Sequence, residues 1–128
     1  AEAEPLGDSV RFLGWQSDLT LLYAAADLVV ISSDNEGMPV TLIEAAMAGV
    51  PGVTTDVGSA SEVVEDGVTG RVVSTDALAL ADAMAQLLED EDHRGRMGDR
   101  AAVRAAEMFG VQRLVADHEH LYGRLLSA

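Results

Sequence analysis

Hydrophobic positions change period several times along this chain, and the changes mark out its elements. Val10-Arg11-Phe12-Leu13 alternates and stops at Gly14, which reads as a short strand. From Ser17 to Ala26, the residues Leu19, Leu22, Tyr23 and Ala26 recur at helical spacing, with Ser17 or Asp18 as N-cap. Leu28-Val29-Val30-Ile31 is an unbroken apolar run ending in Ser32-Ser33-Asp34-Asn35. A strand buried on both faces reads this way, with a polar loop at its C-terminal end. Pro39 suits a first helical turn, where its missing N–H is not needed. The helix then carries Val40, Ile43, Met47 and Val50 on one face until Gly49 caps it and Pro51 stops it.

Val53-Thr54-Thr55 and Gly70-Arg71-Val72-Val73 read as two more strands, with a helical turn in Ser59 to Val64 and a tight turn at Glu65-Asp66-Gly67. Residues 76–128 form a helical tail. Thr75 or Asp76 caps a helix through Leu80, Met84, Leu87 and Leu88; a second runs through Arg94, Met97, Ala101, Ala105 and Met108; a third carries Leu114, Val115, His118, Leu121, Tyr122 and Leu125. Strands alternating with helices predict an α/β, Rossmann-like parallel sheet of about four strands with flanking helices. Residues 1–9, polar and punctuated by proline and glycine, read as a frayed end.

Composition narrows the function more than the fold. The 128 residues fit one domain with a real core, built from aliphatic residues and methionine because only 4% are aromatic. The formal charge is −14 and all 8 basic residues are arginine. Such a surface repels phosphate backbones and anionic lipid headgroups, so nucleic acid and direct membrane contact are poor partners for this piece. With no cysteine there is no disulfide and no thiolate zinc site. The longest apolar stretch is too short to span a bilayer, the N-terminus lacks the pattern of a signal peptide, and a cytoplasmic location is compatible.

The candidate chemistry lies between Glu36 and Glu44. Glu36 precedes the helix that opens at Pro39, and Glu44 lies about 7 Å along its axis. Between them is a helix N-terminus, whose free N–H groups and dipole favour an anion. Gly37 lets the backbone approach a ligand, and the amides of Gly37, Met38, Val40 and Thr41 lie at or near the helix start. A carboxylate, an anion cradle and a second carboxylate suit a ligand with hydroxyls at both ends and phosphate between, such as a nucleotide-sugar. Glu44 would then grip ribose, as carboxylates grip vicinal diols, and Glu36 the sugar at the reacting face. Taken alone, the two glutamates read better as a solvated loop acid and a helix-surface acid.

The surrounding residues reverse that balance. Val10 to Gly14, Leu22 to Ser33, Asn35 to Pro51, Thr55 to Gly58, Glu62 to Gly67, Gly70, Arg94, Met97-Gly98, Phe109 and Leu121-Tyr122 carry a resemblance that covers nearly everything from residue 10 onward. The chain resembles the C-terminal, nucleotide-sugar-binding domain of retaining GT-B glycosyltransferases, family 4 (glycosyltransferase group 1). The resemblance implies transfer of a hexose from a nucleotide-sugar to a glycan, lipid or small molecule, without a tightly held metal or other cofactor. It implies that Glu36 touches the donor sugar near the reacting centre, that the following amides hold sugar and phosphate, and that Glu44 binds ribose. The loop holding Gly14 and Trp15 is then near the nucleobase. Two departures stand out: Ser59 replaces a frequent second glycine, and Met38-Pro39 replaces an aromatic-glycine pair, which removes one N–H donor.

Family members also have an N-terminal acceptor domain and, early in the C-terminal domain, an arginine and a lysine that neutralise the diphosphate. Neither is in these residues, so the chain reads as a partial donor domain over 1–128, inert in isolation. In a sheet of order 3-2-1-4-5-6 the strand at Val10 is the third, and those at Leu28, Val53 and Arg71 are the last three. The strand at Leu28 then has a bare edge, which predicts strand swapping or a homodimer of the isolated chain. A non-catalytic Rossmann-like binding domain is the alternative, and an acidic receiver-like domain a distant third. His93, His118 and His120 lack metal spacing. Met84, Met97 and Met108 read as core, and Arg94, Arg96, Arg100 and Arg104 as a solvated, ion-paired helix face. Asp56 and Glu62 lie in loops near the inferred cleft.

Overall fold

The computed structural model describes residues 9–127. Its elements, in chain order, are α1 (Thr20–Ala25), β1 (Val29–Ile31), α2 (Val40–Met47), β2 (Gly52–Thr55), α3 (Ala60–Val63), β3 (Gly70–Val73), α4 (Ala77–Glu89), α5 (Glu91–Phe109) and α6 (Val111–Leu126). The three strands form one parallel sheet in the order β1-β2-β3, with Val30 beside Val53 and Val53 beside Arg71. This is the Rossmann-like α/β arrangement expected from the sequence, with three strands where about four were predicted.

The missing strand is Val10 to Leu13. That segment has no regular structure and is exposed, Phe12 to 97%. An alternating run becomes a strand only where a neighbour takes its N–H and C=O groups, and the described part of the sheet ends at β1. For the same reason β1 is half-buried, not buried on both faces as its apolar run suggests. The frayed start read for residues 1–9 lies outside the described residues except for Ser9.

Side chains alternate across the sheet with the period of two that strands impose. Val30, Val53 and Val73 meet Ala83, Leu87 and Met97 of α4 and α5 on one face. Val29, Ile31 and Val72 meet Leu42, Val63 and Val64 on the other, under α2 and α3. Ala46, Ala101 and Ala105 then join α2 to α5. Central β2 is buried throughout.

Local chemistry sets the helix ends. The side chain of Asp76 accepts from the Leu78 and Ala79 amides at the start of α4, and Asp90 accepts from the His93 amide at the start of α5. At the end of α2, Gly49 N–H donates to the Ala46 carbonyl and Val50 N–H to the Ala45 carbonyl, with Gly49 at φ +76°. That double closure is the Schellman motif that Gly49-Val50-Pro51 announces. Helix α1 starts later than its pattern suggests: Leu19 is the N-cap, while the Asp18 carboxylate accepts from the Thr20 amide.

Two of the arginines read as a solvated face fold inward instead. Arg94 donates to the Leu87 and Leu88 carbonyls at the end of α4 and pairs with Asp27 at 3.0 Å. Arg104 donates to the Glu62 carbonyl and lies 3.7 Å from Glu65. Met97 is core and Met84 packs against it, but Met108 is 38% exposed. Among the described residues no helix is long and apolar enough to cross a membrane.

Helix α5 crosses the end of α2 at Gly98, where a Cβ would run into the Gly49 carbonyl oxygen. Gly95, one turn earlier, has open space around it. Gly98→Ala is therefore expected to cost about 1–3 kcal/mol, because the obstruction is backbone, whereas Gly95→Ala should gain about 0.5–1 kcal/mol. Urea unfolding of the two variants, followed by circular dichroism, checks both signs.

Candidate functional site

The site is built at the C-terminal ends of β1 and β2, where open parallel sheets leave room for ligands. After Ile31 the chain runs through Ser32 to Pro39 before α2 begins. Three contacts hold this loop. The buried Thr55 hydroxyl, at the end of β2, donates to the Ser33 carbonyl at 2.5 Å. Ser59 N–H donates to the Gly37 carbonyl at 2.9 Å. Gly58, at φ +54°, lies so close that a Cβ there would run into the Glu36 carbonyl oxygen. The residue at 59, a departure from the family pattern, thus meets the loop through its backbone.

Glu36 is half-buried in this loop, and the Ser33 hydroxyl donates to its Oε1 at 2.6 Å. Glu44 is exposed on α2, and the Tyr23 hydroxyl, reaching over from α1, donates to its Oε2 at 2.8 Å. Each carboxylate is thus oriented through one oxygen by a neutral hydroxyl. Among the described residues neither glutamate is within ion-pair distance of an arginine.

Between the two, α2 begins without a side-chain cap. Pro39 is the N-cap itself, with ψ 101°, and not part of the first turn as its position suggests. Val40 and Thr41 are therefore the first two helical residues, whose N–H groups have no partner within the helix; both residues are exposed. Leu42 N–H is taken by the Pro39 carbonyl at 3.0 Å. Gly37 and Met38 are exposed in the loop just before.

Two grooves flank this segment. One, of about 470 Å³, lies beside Glu44 and is lined by Ser17, Asp18, Thr20, Tyr23 and Met47 among others. The other, of about 410 Å³, is lined by Met38, Ile43, Glu62, Phe109, Arg113 and Leu114 among others. Gly14 and Trp15 are exposed, and neither lines the groove beside Glu44. The structure thus brings Glu36, Gly37, Met38, Val40, Thr41 and Glu44 together around one helix start, with Gly14 and Trp15 outside the lining of the groove. Asp56 is exposed beyond β2, its N–H donating to the Val73 carbonyl, and Glu62 lines the groove beside Met38. Among the described residues no group of three or more His, Cys, Asp or Glu side chains is placed to hold a metal.

Sequence reasoning missed the two hydroxyls. Ser33 stands three residues before Glu36, a short-range spacing that could have been noticed. Tyr23 carries only the signal of an apolar helix face, with Leu19, Leu22 and Ala26.

The profile of the family described as glycosyl transferases group 1 matches residues 1–104. The chain belongs to this family. As a group 1 glycosyltransferase chain, it is 37% identical over 116 residues to the N-acetyl-alpha-D-glucosaminyl L-malate synthase of Bacillus anthracis, covering 90% of this chain and 30% of that protein. It is 38% identical over 130 residues to the D-inositol 3-phosphate glycosyltransferase of Salinispora tropica, covering 99% of this chain and 27% of that protein. Among solved structures, HepE of Anabaena in complex with UDP and glucose superimposes with a TM-score of 0.83 at 30% identity, covering 96% of this chain and 33% of HepE. The group 1 chain therefore spans less than a third of the length of the two curated relatives.

Burial first, then the bond to Glu44 and its negative charge, push the Tyr23 phenol up to about 12. Folding therefore favours the neutral phenol. This contribution is complete below the ordinary value of about 10 and is lost as pH rises through about 12. In Tyr122→Phe, which leaves Tyr23 as the only tyrosine, phenolate absorbance should appear near pH 12 while the chain is folded. A midpoint near 10 would count against the contact. Gly58→Ala should cost about 2–4 kcal/mol, from its left-handed backbone and the collision with Glu36, read from urea unfolding, and should shift the Glu36 and Gly37 amide resonances.

Proposed function

We propose that this chain is the donor-binding part of a hexosyltransferase that moves a sugar from a nucleotide-sugar to an acceptor. Residues 1–128 act as a partial C-terminal domain, with the acceptor site and the cations that neutralise the diphosphate supplied from outside them. On this reading the Val40 and Thr41 amides, with those of Gly37 and Met38, hold the phosphates. Glu44 accepts from the ribose diol, and Glu36 contacts the sugar beside the reacting carbon. The Gly14–Trp15 loop is assigned to the base on the resemblance alone. On the same reading, transfer retains the anomeric configuration and uses no tightly held metal, as the family resemblance implies.

One observation carries the reading: two hydroxyl-oriented glutamates flank a helix start without a side-chain cap, beyond a parallel strand. The likeness to HepE, whose structure holds UDP and glucose, supports it. A vicinal diol supplies the two O–H donors that a charged carboxylate accepts, and phosphate supplies the anion that the helix start favours.

The test is calorimetry on the whole protein with UDP-, GDP- and ADP-sugars. Glu44→Ala should raise Kd for the donor about 10- to 100-fold, the worth of hydrogen bonds to a charged group. Glu36→Gln should leave Kd within a few-fold and lower the transfer rate by about two to three orders of magnitude, as losses of transition-state electrostatics do. Unchanged donor binding in Glu44→Ala would sink the ribose assignment. Donor binding by the whole protein with no transfer to any acceptor would favour a non-catalytic binding domain. The isolated chain should bind donor weakly and transfer nothing.

A further inference from the structure

We propose that Tyr23 is a positioning residue, whose hydroxyl fixes the Glu44 carboxylate so that Oε1 faces the ribose diol of the bound nucleotide. The inference rests on the donor reading of Glu44 and adds a residue to it.

The geometry is specific. Tyr23 and Glu44 are on different helices, α1 and α2, and the bond between them measures 2.8 Å. It is the one side-chain hydrogen bond from α1 to another helix or strand among the described residues. Helix α1 has no buried residue, so the ring is not there to fill a core. Tyr23 itself is half-buried, while Glu44 is exposed. The two side chains share the wall of the groove lined by Ser17, Thr20 and Met47.

Chemistry explains why a phenol suits this position. A glutamate on an exposed helix face samples many rotamers, and a ligand that needs one of them must supply the ordering entropy. A hydroxyl bond to Oε2 selects a rotamer before the ligand arrives. An arginine would do so too, but it would neutralise the charge that makes the carboxylate a strong acceptor. The neutral phenol donates one proton and leaves Oε1 with both lone pairs open. Burial, the bond to Glu44 and its charge keep that phenol protonated across the physiological range.

The test is a double-mutant cycle on the whole protein, with Kd measured by calorimetry. The ligands are whichever of UDP, GDP or ADP binds most tightly and its 2′,3′-dideoxy counterpart. Tyr23→Phe should weaken the ribonucleotide about 3- to 10-fold, as loss of one hydrogen bond does, and leave the dideoxy compound unchanged. Added to Glu44→Ala, it should change nothing further. Equal weakening of both ligands, or further weakening in the Glu44→Ala background, would make Tyr23 merely structural and overturn the proposal. Tyr23→Phe without effect, beside a Glu44→Ala that does weaken binding, would remove Tyr23 and leave the donor reading standing. Glu44→Ala without effect, or no binding of any of the three nucleotides, would remove both.

Discussion

The hydrogen bond from the Thr55 hydroxyl to the Ser33 carbonyl, at 2.5 Å, joins the core of this chain to its site. Thr55 ends β2, the central and wholly buried strand. Its hydroxyl is a polar group in the interior, and burying it without a partner would cost about 1–3 kcal/mol. The partner is the backbone of the loop beyond β1, so the core's need for satisfaction fixes where that loop turns. Ser33 is then held at the residue whose own hydroxyl orients Glu36. Just beyond Thr55, the Ser59 amide and the absence of a side chain at Gly58 let the following turn press on the Glu36–Gly37 backbone. The loop is therefore held by the end of β2 and the turn that follows it, and α2 starts just beyond these contacts.

The same economy applies to charge. The chain carries −14 with only 8 arginines. Arg71, Arg94, Arg104 and Arg113 pair with Asp66, Asp27, Glu65 and Asp117, and among the described residues none pairs with either site glutamate. Ion pairs with exposed partners contribute little stability. Arg94 contributes differently, because it also donates to two carbonyls at the end of α4 and so links the helical tail to the approach to β1. Where charge would interfere with acceptor strength, at Glu36 and Glu44, neutral hydroxyls take over the task of orientation.

Much of this was legible in the sequence because it is local. The end of α2 follows from Gly49 and Pro51, the cap of α4 from the Thr75-Asp76 pair, and the parallel order from strands alternating with helices. The carboxylate spacing that frames the site is equally local. What was not legible depends on partners distant in sequence. Val10 to Leu13 alternates like a strand, but alternation does not supply a neighbour. Val29 to Ile31 has the composition of a central strand and sits at the edge of the described sheet. Met108 has the spacing of a core residue, yet α5 turns that part of its surface outward. The Tyr23–Glu44 bond spans 21 residues, and nothing in a helical period says that one member of an apolar face will carry a hydroxyl to another helix.

The helix start sets a limit on what these residues can do for an anion. Its dipole is equivalent to about half a unit charge, whereas a nucleoside diphosphate group carries at least two negative charges. The flanking glutamates add two more negative charges within a few turns of helix, and Coulomb repulsion between them and the phosphates is weakened only by solvent. Among the described residues the four paired arginines have carboxylate partners other than Glu36 and Glu44, and the chain has no lysine. On the donor reading, then, these residues orient the ligand more than they attract it. Orientation falls to the glutamates and their hydroxyl partners, and attraction to cations brought by the rest of the protein. Separating the two tasks has a physical advantage, since a carboxylate that grips a diol must not be neutralised by the cation that draws the phosphate in.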